Sequence, residues 1–234
     1  MRVAALLALL VSACGAAPPQ KAASEPVPVE VPQTEEDDPP ADEALASEDS
    51  APRKGTLETC AQELRAEADT GAPAAETDAY LQAYAIEQRG DLPAARKAYF
   101  DIVANTPRSP YVPAVYLAFA ELFARESASD PSKWDLARQA YREVLKYPPP
   151  QNRVYAYALV RSAEVDRAKD DSAQALASYK RVFEAITQHP ETRCAAELGE
   201  AAELGMIQSY ADVGAPNKAG TFLRHVSPTR GERL

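Results

Sequence analysis

The chain has 234 residues, with 35 acidic against 25 basic side chains and a formal charge of −10. That balance, with no basic stretch to meet a phosphate backbone, argues against a nucleic-acid-binding role. All 17 aromatic residues lie between Tyr80 and Phe222, so only the later part of the chain has the large apolar side chains a core needs.

The first element is the run MRVAALLALLVSAC. One positive charge at Arg2 precedes an apolar stretch from Val3 to Val11, then Ser12, Ala13 and Cys14. This is the layout of an export signal, too short to span a membrane at about 20 residues. Val11-Ser12-Ala13-Cys14 resembles the bacterial lipobox, in which the cysteine is lipidated and becomes the mature N-terminus. The resemblance implies a signal peptide over 1–13 and a lipid anchor on Cys14. Gly15 in place of aspartate then implies sorting to the outer membrane, with the protein facing the periplasm. An ordinary signal peptide, with Cys14 incidental, is the alternative.

Residues 14–55 are expected to form a disordered tether. Between 15 and 55 there are eight prolines and ten acidic against three basic groups. Such a segment cannot bury enough apolar surface to offset its ordering entropy. An inert spacer is the plain reading, and an acidic docking arm centred on Glu35-Glu36-Asp37-Asp38 is the sharper one. Residues 56–75 are expected to hold a short helix and a loop, with Leu57, Cys60 and Leu64 on one helical face.

From 76 to 227 one pattern recurs. Gly90-Asp91 is followed by Ala95, Tyr99, Ile102 and Pro107, and Trp134 by Ala137, Tyr141, Val144 and Pro149. Asp170-Asp171 is followed by Ala175, Tyr179 and Val182, and Gly214 by Ala219, Leu223 and Val226. In each copy a small residue stands four positions before a large one, which puts both on one helical face. Arg89-Gly90-Asp91 is therefore read as a chain reversal with Asp91 capping the next helix, rather than as an adhesion signal. Asp130-Pro131 is expected to open the second helix of the second copy, and the fourth copy is expected to start with a long helix from about Glu191.

RGDLPAARKAYFDIVANTP and its three echoes resemble the tetratricopeptide repeat (TPR), a helical hairpin with a small-to-aromatic packing pair and a closing proline. The resemblance implies an all-α fold, a right-handed superhelix of about four TPR-like hairpins over 76–227, followed by a tail at 228–234. The anchoring alanines are spaced by more than the usual repeat length, and Asp166 falls where the family carries an apolar residue. By the same resemblance the first helix of each hairpin lines a concave groove. Its outward positions are Tyr80, Tyr84 and Glu87, then Tyr111, Ala114, Ala118 and Glu121, then Tyr157, Val160 and Glu164, then Leu204 and Gln208.

Tyrosines interleaved with carboxylates suit an extended or helical peptide carrying apolar and basic side chains. Packing between repeats is the other use of these tyrosines. The two histidines lack partners at metal-ligand spacing, and no phosphate loop or nucleophile motif occurs. No cofactor, metal or catalytic residue is therefore expected. Cys60 and Cys194, in an exported chain, are either bridged or two small apolar thiols. The expected role is a non-catalytic protein-interaction scaffold of the cell envelope, with protein partners on the concave face and the membrane reached through the lipid anchor. A structural or cell-wall-associated spacer is the alternative, and an enzyme hidden on a helical scaffold a further one.

Overall fold

The computed structural model describes residues 56–69 and 71–226; the export signal, Cys14, the tether and the 228–234 tail lie outside the described residues. Among the described residues there are nine α-helices and no strand. They are α1 (Leu57–Ala66), α2 (Ala74–Gln88), α3 (Leu92–Asn105), α4 (Val112–Glu126), α5 (Lys133–Val144), α6 (Tyr155–Ala168), α7 (Ser172–Gln188), α8 (Ala195–Val213) and α9 (Ala219–Val226). A single 3₁₀ turn, Pro216–Lys218, leads into α9. No helix among them is long and apolar enough to cross a membrane.

Helices pack in sequence, α2 with α3, α4 with α5, α6 with α7 and α8 with α9, and each pair meets the next. The turns have local causes. Gly90 takes φ +83°, a region open to glycine at no steric cost, and Asp91 then caps α3 by accepting from the Ala94 amide at 3.1 Å. In the third pair Asp170, at φ 60°, does the work of Gly90, and Asp171 caps α7 through the Gln174 amide at 3.3 Å. α5 begins at Lys133 rather than at Pro131. Asp130 spends its carboxylate on the Ser132 amide and hydroxyl, a local turn that delays the helix by two residues. α8 likewise begins at Ala195, after a turn that ends on Cys194.

The core follows the small-to-large pairs. Ala95, Ala137 and Ala175 are fully buried with Tyr99, Tyr141 and Tyr179, whereas Ala219 and Leu223 of the last helix are only half-buried. α4 is buried from Val112 to Ala120 on every side, as a helix with neighbours all round must be. Asp166, on the apolar face of α6, is buried and pairs with Arg138 of α5 at 2.7 Å. Burial raises its carboxyl above the ordinary range, and Arg138 partly offsets this.

α8 crosses α7 closely because Gly205 has no side chain: a Cβ there would lie inside the Tyr179 ring. Gly205→Ala is expected to cost about 1–3 kcal/mol as an overpacked site, exceeding the roughly 1 kcal/mol alanine gains over glycine within a helix. Thermal unfolding checks this, and an unchanged or raised Tm would show that Tyr179 moves aside freely.

Candidate functional site

α1 is a self-capped helix. The Thr56 hydroxyl accepts from the Thr59 amide at 3.1 Å, and the Thr59 hydroxyl accepts from the Thr56 amide at 2.8 Å, a reciprocal capping box. Cys60, Leu64 and Arg65 are its buried residues. Ten residues make a marginal helix alone, so what this face meets decides whether α1 persists.

It meets α2 and α8, and the contacts about it reach the segments leading into α4 and α6. Arg65 forms a bidentate pair with Glu87 of α2, at 3.1 and 2.5 Å, and lies over the Tyr84 ring, 5.0 Å from its centroid. Just beyond α1, the Asp69 amide donates to the hydroxyl of Tyr111, the residue that opens α4, at 2.7 Å. Arg153, two residues before α6, donates to the Leu64 carbonyl at 3.0 Å and so satisfies an acceptor left open by the helix end. Arg193, two residues before α8, pairs with Glu67 at 3.0 Å and Glu63 at 3.3 Å. α1 is thus a strap laid across α2 and the leading ends of α4, α6 and α8.

The residues expected to line a groove fall into three groups. Tyr80, Tyr111 and Tyr157 are buried, and Tyr80 stacks on Tyr111 with centroids 4.5 Å apart. Ala114, Ala118 and Val160 are buried as well. These serve packing between helices, the alternative use open to the tyrosines. Tyr84 is half-buried beneath Arg65, whereas Leu204 and Gln208 are exposed on α8 and remote from the α1 contacts described.

The three carboxylates are all ion-paired within the chain. Glu87, buried, accepts from Arg65, from Arg125 at 2.5 Å and from the Tyr99 hydroxyl at 2.9 Å. Glu121 accepts from Arg161 at 2.9 Å and from the Tyr141 hydroxyl at 2.7 Å. Burial acts to raise its carboxyl, but Arg161 and the Tyr141 hydrogen bond outweigh this and hold it below the ordinary range. Glu164 also pairs with Arg161, yet there burial prevails and its carboxyl is raised. α2, α4 and α6 are therefore joined to one another by a row of alternating charge, buried at Glu87 and partly exposed at Arg125, Arg161 and Glu164.

Sequence reasoning missed the basic side of this arrangement: Arg65, Arg153 and Arg193 about α1, and Arg125 and Arg161 between helices. It also missed Arg96 and Arg138, which tie a second helix to the following pair, Arg96 to Glu126 and Arg138 to Asp171 at 2.6 Å. The available signal was an arginine directly after the small anchor in Ala95-Arg96 and Ala137-Arg138.

Cys60 and Cys194 are both free thiols, brought to the lining of one cleft by the seating of α1 on α8. His189 ends α7 and meets Glu191 at 3.1 Å, while His225 is exposed on α9. Among the described residues no group of three or more His, Cys, Asp or Glu could hold a metal ion. Compared with protein-family models, with curated proteins and with solved structures, the chain matches none.

Proposed function

We propose that the chain is a lipid-anchored, periplasm-facing scaffold that binds protein segments in cell-envelope assembly through TPR-like hairpins coiled in a right-handed superhelix. It acts by binding rather than by catalysis. One observation carries the reading: the surface shared by the first helices holds an amphipathic helix, α1, on which the apolar Leu64 is buried and the basic Arg65 is ion-paired to Glu87. That is the chemistry expected of a ligand for tyrosines interleaved with carboxylates. The partner segment is accordingly a helix with adjoining apolar and basic side chains, and α1 is its stand-in.

A structural spacer is the second reading, favoured by the surface being already filled by the chain's own helix. Crosslinking and affinity capture from envelopes separate the two, using the wild type, Arg65→Ala and Tyr84→Ala. Arg65→Ala, which loosens α1, is expected to raise specific capture, and Tyr84→Ala to lower it. Identical capture by three folded proteins would leave the spacer.

A further inference from the structure

The thiol pair is what the ion-pair network of α1 leaves unexplained. Cys60 is buried midway along α1, and Cys194, partly exposed, stands immediately before α8, 134 positions later. The two thiols line one open cleft of about 310 Å³ together with Glu63, Arg193 and Glu197. Arg193, beside Cys194, pairs with Glu63 and Glu67, one and two turns along from Cys60. Cys194 also has a left-handed backbone, φ 56° and ψ 30°, a conformation that costs energy outside glycine and persists only where the surroundings impose it.

We propose that Cys60 and Cys194 are a disulfide latch, which fixes α1 across the first helices when oxidised and leaves it free to lift when reduced. The oxidant is a low-molecular-weight disulfide such as glutathione disulfide. Cys194, the thiol open to the cleft, loses its proton and attacks one sulfur of the reagent, forming a mixed disulfide and expelling one thiol. Cys60 loses its proton and attacks the Cys194 Sγ, closing the protein bridge and expelling the second thiol. Two protein thiols give up two electrons, and one small disulfide is reduced to two thiols. Burial raises both thiols, but Cys60 is buried whereas Cys194 is partly exposed to the cleft, so the first attack belongs to Cys194.

That α1 covers a binding surface rests on the proposed function; the bridge does not. The test uses the full chain, incubated in reduced and oxidised glutathione, with non-reduced tryptic peptides read by mass spectrometry. The latch predicts one linked species joining residues 55–65 to 194–218. It also predicts a Tm higher by about 5–10 °C. Amide exchange over residues 57–66 is expected to slow by about tenfold or more on oxidation, and Cys194→Ser to abolish all three effects.

Thiols that stay free or carry only glutathione would overturn the proposal, as would a bridge that leaves exchange over 57–66 unchanged. Capture from envelopes by the reduced protein bears on the proposed function alone, so the two readings fail separately.

Discussion

Glu87→Ala is expected to destabilise the protein by about 3–5 kcal/mol, because it leaves the buried guanidinium of Arg65 without its counter-charge. The carboxylate is the acceptor for Arg65, Arg125 and Tyr99 at once, and its side chain is 1 % exposed. For a chain of this size the loss lowers Tm by roughly 6–20 °C. Since Arg65 is the charged anchor of α1, the substitution also frees the strap, and Cys60 is expected to react with a maleimide faster than in the reduced wild type. Arg65→Met combined with Glu87→Leu removes both buried charges and is expected to recover most of the stability. A Tm shift without new reactivity at Cys60 would mean that the apolar face of α1 holds it unaided.

Alkaline unfolding is expected to be steep and to begin just above pH 10. Burial pushes the phenols of Tyr80, Tyr116 and Tyr179 up to about 12. Those of Tyr99, Tyr141 and Tyr157 are raised as well, again chiefly by burial. In the unfolded chain all six ionise near 10.

Below that pH both states hold the protons and the phenols make no difference to stability. Above it the unfolded state releases protons that the native state keeps, so stability falls as pH rises, until the native phenols ionise too. Each phenol contributes about 1.4 kcal/mol per pH unit in this window, so even the three near 12 together remove about 4 kcal/mol per unit. Against a native stability of roughly 5–15 kcal/mol, the midpoint should lie between about pH 10.5 and 12. Tyrosinate absorbance and loss of helical circular dichroism should rise together. Six tyrosines ionising near pH 10 with the helices intact would contradict their burial.

The parts of the fold that depend on local chemistry were legible. Gly90-Asp91 carries a positive φ and a cap within two residues, and Ala95 with Tyr99 lies within one helical turn, so neighbouring positions hold the information. Face assignment on the first helices was less secure. Tyr80 and Tyr111 are amphipathic side chains that fit a groove or an interior equally well, and only the identity of the opposing surface, each other's ring, decides between them.

The docking of α1 was not legible at all. Arg65 reads as an ordinary surface residue on a short polar helix, and the groups that make it a buried one, Glu87 and Tyr99, lie 22 and 34 positions away. Arg193 lies farther still, beyond the reach of any periodicity.

The placing of α1 against residues so late in the chain also fixes an order of assembly. Residues 57–66 are made before Arg153 and Arg193 exist, so α1 is the first of these helices to be synthesised but lacks part of its seat until the segment before α8 is made. A simple array of repeats grows outward from any nucleus, each unit needing only its neighbour. Here the two ends of the array depend on each other, and loss of the start of α8 would unseat a helix more than a hundred residues upstream. Until the segment before α8 is made, α1 has its contacts with α2 but not its ion pairs to Arg193.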